Sequence, residues 1–322
     1  MQRNTNPTWL GTWTVVSRQS RERVVWLRPN VVLGRARPIR CRLYVRDVAY
    51  RGDQQVYSRA ESRAPPAVSD RVNILGVGIT PLDLKRAVAT LERWRAERRQ
   101  EYVCVVSVHG LLVAQHDPAF RHALNHCGMA IEEGMPLVWW SRLRGFSEAR
   151  RVCGSDLLDA MCAFGLPYKI RHYFYGVNPK LVEQLIDRLQ QRHPGLCVAG
   201  YRTLPLRPLA PAEDAAHIAA INEAEPDFVW VGLGLPSQEK WMAEHFPKIK
   251  AAALIGVGGA FDFHAGMKPQ APIWMRRAGL EWLFRLLTEP RRFAHRYLFD
   301  NLLFLGHLLL QVTGLRKYSR EV

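Results

Sequence analysis

Residues 228–239 read FVWVGLGLPSQE, four strand-forming residues that pass directly into a glycine-rich turn and a polar helix start. Short apolar runs rich in β-branched and aromatic residues are typical of strands buried on both faces of a parallel sheet. Residues 253–262, ALIGVGGAFD, show the same arrangement further along the chain. The two stretches predict an α/β fold in which glycine-rich turns follow parallel strands.

Strand and helix patterns alternate on both sides of these stretches. Buried-strand patterns lie at 102–108, 171–175, 196–199 and 252–257, and helical patterns at 82–98, 117–125, 155–164 and 179–191. Ser155 is predicted to cap the amino end of the helix over 155–164. We therefore expect a Rossmann-like parallel sheet flanked by helices, with ligands bound beyond the carboxyl ends of the strands.

The net charge of +16 is concentrated at the two ends of the chain. Residues 1–69 contain thirteen Arg, no Lys and four acids, and residues 276–322 contain nine basic and four acidic residues. We expect a flexible Arg-rich leader over 1–69, the Rossmann-like core over 70–270 and a C-terminal appendage over 271–322. Basic ends favour an anionic partner, and phospholipid, polyprenyl diphosphate and nucleic acid all meet that criterion by charge.

Several classes of protein are disfavoured by the sequence. The six cysteines are scattered without a C-x-x-C pair, which argues against a zinc site or disulfide framework and for a reducing cytoplasm. Neither a signal peptide nor a membrane-spanning run is expected. A dinucleotide-binding motif is matched only in part, at Gly232 and Gly234, because Ser237 stands at its third glycine position. This departure argues against an NAD-dependent enzyme. No nucleic-acid-binding motif accompanies the charge, so we expect no nucleic-acid partner.

Segments that follow the predicted strands supply candidate binding residues. Glycine lets the backbone approach a phosphate closely, and helix amino ends supply N–H donors, although glycine also serves simple tight turns. Several glycine-rich loops at one edge of a sheet favour a nucleotide site. The candidates in these loops are Gly176, Asn178, Gly232, Gly234, Gly258 and Asp262.

An ordered set of motifs resembles the WecG/TagA/CpsF glycosyltransferase family over about residues 72–305. The motifs are EGMPLVWW at 133–140, RRVCGSDLL at 150–158, GLPSQEKW at 234–241, GGAFDFHAG at 258–266, APIW at 271–274, GLEWLFRL at 279–286 and EPRR at 289–292. The resemblance implies inverting transfer of a sugar from a UDP-sugar to an undecaprenyl-diphosphate-linked acceptor, without a cofactor or metal. The chain contains no Asp-x-Asp, the motif by which many sugar-nucleotide enzymes hold a divalent cation.

The resemblance also implies a catalytic base, which would take the proton of the acceptor hydroxyl. The family's carboxylate is the Asp of a Pro-Asp-Gly motif, and the matching residues here are Glu133 and Gly134. Glu reaches one methylene further than Asp, so two alternatives stay open: Glu133 as a solvated loop acid, and the chain as a catalytically impaired membrane-bound scaffold. Ser107 and His109 occupy the family's Thr-x-Asn positions and are further catalytic candidates.

Other residues of these motifs are candidate substrate ligands. Gln238 and Glu239 match a Gln-Glu pair that can contact uracil or ribose hydroxyls, with helix capping as the alternative. Asp262 can bind the donor sugar or hold its own loop. Arg276, Arg285 and Arg292 are candidates to neutralise the UDP or lipid diphosphate.

Residues 297–315 form a Leu- and Phe-rich helical pattern flanked by basic residues. Asp300, His307 and Gln311 share one polar stripe, and the remaining arc is apolar. This pattern favours a helix lying on an anionic membrane surface, with a core or dimer helix as the alternative. We therefore expect peripheral attachment to the inner face of a bacterial plasma membrane. A homo-oligomer remains open.

Overall fold

The computed structural model describes residues 71–205, 207 and 209–320, so the predicted leader at 1–69 lies outside the described residues. The strands are β1 Val72–Ile74, β2 Val77–Ile79, β3 Glu101–Val106, β4 Met129–Glu132, β5 Arg171–Gly176, β6 Cys197–Thr203, β7 Phe228–Val231 and β8 Ala253–Gly256. The helices are α1 Leu84–Ala96, α2 Val108–His116, α3 Pro118–His126, α4 Met135–Leu143, α5 Gly154–Gly165, α6 Pro179–Arg192, α7 Pro211–Glu223, α8 Ser237–His245, α9 Ala260–His264, α10 Ile273–Arg277, α11 Glu281–Thr288 and α12 Pro290–Val312.

Six strands form one parallel sheet in the order β4-β3-β8-β7-β5-β6. Its central strands are almost entirely buried because helices cover both faces, as the apolar runs predicted. β1 and β2 form a separate antiparallel hairpin. The α/β fold with a helix-flanked, Rossmann-like parallel sheet is therefore confirmed.

Alternate residues along each strand contribute to two apolar cores. Val103, Ile255 and Trp230 face the core formed with α1, α5 and α6. Tyr102, Leu254 and Val231 face the opposite core, which includes residues of α2, α3 and the hairpin. Since side chains alternate along a strand, both faces of each central strand must be apolar, and the sequence meets that requirement.

The predicted elements match the structure closely where the apolar pattern is strong. β7 has the predicted bounds, and α1, α3 and α6 lie within one or two residues of the predicted ones. The sequence patterns did not reveal the hairpin, β4, α2 or α4. The predicted cap at Ser155 is wrong: α5 begins one residue earlier, with Cys153 at its N-cap position and no side-chain cap hydrogen bond. The absent side chain of Gly154 permits this early start, because a β-carbon there would lie 3.2 Å from the Val257 backbone.

The C-terminal helix α12 turns its predicted polar stripe towards the rest of the protein. Gln311 Oε1 accepts a hydrogen bond from the Leu75 amide at 2.9 Å, and His307 Nδ1 lies 2.6 Å from the Tyr318 hydroxyl. The apolar side chains on the other side are exposed, with Leu302 at 61% and Leu309 at 63%. No helix among the described residues has the length and apolar character needed to cross a bilayer.

Candidate active site

The candidate residues lie along the carboxyl edge of the parallel sheet. Glu133 follows β4, Ser107 follows β3, Gly258 lies just after β8, Gly232 follows β7 and Asn178 lies just after β5. β4 and β5 are four strand positions apart, which corresponds to about 19 Å at the usual strand spacing. The edge is therefore wide enough for a nucleotide-sugar to lie across several strands.

Glu133 is held at the sheet edge by its backbone and by one side-chain contact. Its amide donates to the Val106 carbonyl of β3 at 2.9 Å. Its Oε1 atom accepts a hydrogen bond from the Cys153 thiol at 3.4 Å. The side chain is half-buried, so the carboxylate is anchored but open to solvent or a ligand. Gly134, the N-cap of α4, packs near Val108 of α2.

Three arginines and two acids form a cluster beside Glu133, here called the arginine cluster: Arg151, Arg276, Arg285, Asp156 and Glu281. Glu281 Oε1 accepts from Arg285 Nη2 at 2.5 Å, and Glu281 Oε2 accepts from Arg151 Nη2 at 2.9 Å. Asp156 accepts from Arg276 Nη1 at 2.5 Å. These pairs join α5 and the segment before it to α10 and α11, which brings distant motifs into one place.

The charges of the arginine cluster stabilise one another. Burial opposes the charge of Arg285, but Glu133 and Glu281 outweigh it and raise the pKa of Arg285 above its ordinary value. Burial likewise raises the pKa of Glu281, but Arg285 and Arg151 overcome that effect and hold it below its usual range. The guanidinium of Arg285 is thus a fixed positive charge near the Glu133 carboxylate.

Gln238 and Glu239 are buried at the start of α8. Gln238 Oε1 accepts from the Gly258 amide at 3.0 Å, and its Nε2 donates to Glu239 Oε1 at 2.8 Å. Burial raises the pKa of Glu239 to about 7, and the Glu133 charge contributes to the rise. The buried Glu239 Oε2 has no hydrogen-bond partner among the described residues. The N-cap residue of α8 is Pro236, which makes no side-chain cap hydrogen bond.

Ser107 and His109 lie at the amino end of α2, and both have partners within the protein. Ser107 is the N-cap residue, and its Oγ accepts from the Gly110 amide at 3.3 Å. His109 Nδ1 lies 2.8 Å from Asp300 Oδ2 of α12. Ser107 therefore shapes the loop after β3, and His109 connects that loop to the C-terminal helix.

Four further candidates lie at or just after the ends of β7 and β5, and they differ in how closely other residues pack against them. A β-carbon at Gly232 would lie 2.5 Å from the Phe261 ring, and one at Gly176 would lie 2.8 Å from Val182, so both glycines permit close packing. Gly234 has a φ of 81° and open space around it. Asn178 caps α6 through the Leu181 amide. All four lie away from Glu133, towards the β7 and β5 side of the edge.

Asp262 and Arg292 complete the set of sequence candidates. Asp262 Oδ2 accepts from Lys268 Nζ at 3.3 Å, and the carboxylate is half-buried in the first turn of α9. The side chain of Arg292 lies outside the described side chains. Their substrate contacts therefore stay predictions, as do those of the other candidates.

Sequence reasoning missed three residues that the fold brings beside Glu133: Arg151, Cys153 and Glu281. All three lie in stretches already singled out as motifs, 150–158 and 279–286. That membership was an available signal, but the pairing of Arg151 with Glu281 spans 130 positions. Within the described part of the chain, no group of three His, Cys, Asp or Glu side chains is arranged to hold a metal ion.

Comparison with known proteins agrees with the motif resemblance. The sequence pattern of the "Glycosyl transferase WecG/TagA/CpsF family" matches residues 72–318. The chain is 26% identical over 227 residues to the N-acetylglucosaminyldiphosphoundecaprenol N-acetyl-beta-D-mannosaminyltransferase of Staphylococcus aureus (strain NCTC 8325 / PS 47), covering 69% of this chain and 86% of the relative. It is 32% identical over 180 residues to the Bacillus spizizenii (strain ATCC 23059 / NRRL B-14472 / W23) enzyme of the same name, covering 56% and 68%.

Proposed function

The chain belongs to the WecG/TagA/CpsF family of glycosyltransferases, and from that premise we propose that it transfers a sugar from a UDP-sugar to an undecaprenyl-diphosphate-linked saccharide in cell-surface glycan synthesis. The transfer inverts the anomeric carbon and needs neither a metal ion nor another cofactor. The observation that carries this proposal is the position of Glu133, a half-buried carboxylate at the sheet's carboxyl edge beside the arginine cluster.

Glu133 acts as the general base in this proposal. The acceptor hydroxyl oxygen attacks the donor's anomeric carbon while its proton passes to the Glu133 carboxylate, and the bond to UDP breaks with its electrons on the diphosphate. The Cys153 contact occupies only Oε1, so Oε2 is available to accept that proton.

The arginine cluster neutralises the departing diphosphate. Glu281 orients Arg151 and Arg285 through one carboxylate, which leaves further N–H groups on both guanidiniums for phosphate oxygens. Fixed guanidiniums stabilise developing negative charge without having to reorganise during the reaction. Gln238 Oε1 meanwhile holds the Gly258 loop, and this contact supports a donor site on that part of the edge.

The names of the two relatives support a specific pair of substrates. Both relatives are named for transfer of N-acetylmannosamine to N-acetylglucosaminyl-diphosphoundecaprenol. We propose the same pair as the first substrates to test on this chain. The uronic acid of N-acetylmannosamine and glucose are the next donors.

The outward apolar face of α12 supports attachment to a membrane. Exposed Leu302, Leu305 and Leu309 lie on the side opposite the polar stripe, and Arg316 and Lys317 follow them. Leucines immersed at the lipid boundary, with basic residues near the anionic headgroups, are typical of interfacial helices. This arrangement supports placement of the catalytic edge at the inner face of the plasma membrane, where the lipid-linked acceptor resides.

The test is a transfer assay in phosphatidylglycerol nanodiscs containing undecaprenyl-diphosphate-linked N-acetylglucosamine. The wild type, Glu133→Gln and the control Glu244→Gln are each given UDP-N-acetylmannosamine, its uronic acid or UDP-glucose. Glu244 is an exposed acid on α8. Product mass identifies the donor, NMR reports the anomeric configuration, and a parallel reaction with EDTA tests metal dependence.

We expect product from the wild type and from Glu244→Gln, and a loss of about 100-fold or more in Glu133→Gln, as for removal of a general base. Unchanged activity in Glu133→Gln would remove Glu133 as the base. Absence of product with every donor, while the acceptor lipid still binds, would favour the scaffold alternative.

A further inference from the structure

A hydrogen-bond chain of four polar side chains leads from Gln270, just before the C-terminal appendage, to Glu133. Gln270 Nε2 donates to Ser155 Oγ at 2.9 Å. Ser155 Oγ lies 3.3 Å from Cys153 Sγ, and Cys153 Sγ donates to Glu133 Oε1 at 3.4 Å. We propose that Gln270, Ser155 and Cys153 are positioning residues for the transfer reaction: through this hydrogen-bond chain they hold the Glu133 carboxylate in its reactive orientation. The inference rests on the proposed function.

The chemistry of the groups fixes the direction of the chain. The ionised carboxylate can only accept, so the single proton of the Cys153 thiol is donated to Glu133. Cys153 Sγ can then only accept from the Ser155 hydroxyl, and Ser155 Oγ accepts from the Gln270 amide nitrogen, which can only donate. Each proton therefore points towards Glu133, and hydrogen bonds aligned in this way strengthen one another.

The surroundings of Cys153 keep the thiol protonated. Cys153 is 2% exposed, and burial raises the pKa of its thiol to about 12, with Glu133 and Glu281 adding to the rise. A protonated thiol is a hydrogen-bond donor, whereas a thiolate would repel the Glu133 carboxylate. The Cys153 side chain makes no cap hydrogen bond to α5, so its hydrogen bond with Glu133 has no competitor there.

Ser155, in the middle of the hydrogen-bond chain, is also held in place through its backbone carbonyl. The Ser155 carbonyl accepts from His264 Nε2 at 2.9 Å, and Arg192 Nη1 donates to His264 Nδ1 at 2.9 Å. Ser155 and His264 are both buried. The first turn of α5 is thus fixed to α6 and α9, which makes it a rigid support for a side chain that positions a base.

Gln270 links the hydrogen-bond chain to the C-terminal helices. It lies in the segment between α9 and α10, two residues before Pro272, the N-cap residue of α10. A displacement of that segment that breaks the Gln270–Ser155 hydrogen bond removes the first donor of the hydrogen-bond chain. The position of the appendage is in this way connected to the orientation of the catalytic carboxylate, without direct contact between the two.

The test compares four single variants in the nanodisc transfer assay: Cys153→Ala, Cys153→Ser, Ser155→Ala and Cys162→Ala. Cys153→Ser keeps an O–H donor at the same place. Cys162 is an equally buried thiol of α5 outside the chain and serves as the matched control. For each variant, kcat and the KM of both substrates are measured, and thermal unfolding reports the integrity of the fold.

We expect Cys153→Ala and Ser155→Ala to lower kcat by about tenfold, within the range that small displacements of reacting groups cause, with each KM within about twofold of wild type. Cys153→Ser is expected to retain most of the wild-type kcat, and Cys162→Ala all of it. Ser155→Ala tests the chain without altering the atom that touches Glu133, should Cys153→Ala fail to fold.

Two results would overturn the inference while leaving the proposed function intact. One is wild-type kcat in both Cys153→Ala and Ser155→Ala, and the other is an equal loss in Cys153→Ser and Cys153→Ala. Absence of product from the wild type with every donor would instead overturn the proposed function, and this inference with it.

Discussion

His109 Nδ1 lies 2.8 Å from Asp300 Oδ2, and this contact joins the first turn of α2 at the sheet edge to the C-terminal helix α12. The imidazole thereby uses one ring nitrogen within the protein and has only Nε2 left for a substrate. Helix α12 therefore contacts the first turn of α2 through His109, which is itself a candidate catalytic residue.

The first prediction concerns the strength of that contact. In a double-mutant cycle of His109→Ala and Asp300→Ala, we expect a coupling energy of about 0.5–1 kcal/mol, because both side chains are partly exposed to solvent. Urea unfolding of the four proteins measures it. Strictly additive effects of the two substitutions would show that the pair does not stabilise the attachment of α12.

The second prediction concerns the donor diphosphate. Arg285→Met removes a guanidinium that Glu281 holds in place, and we expect UDP to bind about 10–100-fold more weakly by calorimetry, as for loss of charged hydrogen bonds. The UDP affinity of Arg285→Lys should fall between those of the wild type and Arg285→Met, since a lysine keeps the charge but cannot reproduce the planar guanidinium. Arg98→Met, an exposed arginine before β3, is the control. Unchanged UDP affinity in Arg285→Met would contradict a diphosphate-binding role.

The third prediction concerns the apolar face of α12. Replacing both Leu302 and Leu309 by Glu should weaken binding to phosphatidylglycerol vesicles at least about tenfold, because each leucine would lose about 1.5–3 kcal/mol of burial in lipid. Co-sedimentation measures the binding. Tyr168→Glu changes an exposed aromatic residue next to α5 and is the control. Equal vesicle binding by all three proteins would remove α12 as the membrane contact.

The fourth prediction concerns acid sensitivity. Burial, followed by the His193 charge, lowers the pKa of His172 to about 3, and its Nδ1 accepts from Trp230 Nε1 at 3.0 Å. The unfolded chain binds this proton below about pH 6.5 and the folded chain does not, so stability falls as pH drops from about 6.5 towards 3. Between pH 7.5 and 5, this proton lowers the free energy of unfolding by about 2 kcal/mol. His172→Gln should lack this part of the pH dependence in urea unfolding, and an unchanged slope would refute the assignment.

The fifth prediction has the opposite sign. Burial raises the pKa of Glu239 to about 7, so the unfolded chain releases this proton first as pH rises from about 4.5. Glu239 therefore costs the protein stability progressively between about pH 4.5 and 7. As pH rises from 4.5 to 8, the free energy of unfolding of Glu239→Gln should increase by up to about 3 kcal/mol relative to that of the wild type. A difference between the two proteins that does not vary with pH would contradict a raised pKa.

Prediction from sequence succeeded where one local pattern decides the structure. The four apolar residues of β7 and the amphipathic spacing of α6 are sufficient to identify those elements, because period and burial are properties of neighbours along the chain. β4 was missed because its strand pattern is short, ends in Glu132 and is followed at once by Glu133. α2 was missed because its near-continuous apolar residues give little helical periodicity.

The sequence by itself determined the parallel α/β class, the glycine-rich turns and the motifs that include Glu133, because each depends on residues close together in the chain. Only the tertiary structure decided that Arg151 meets Glu281, that Cys153 donates to Glu133, and that α12 faces inward with Asp300 and outward with Leu302 and Leu309. These pairings join residues 20 to 191 positions apart. They follow from the order in which parallel strands bring their carboxyl ends to one edge, a property that no local pattern encodes.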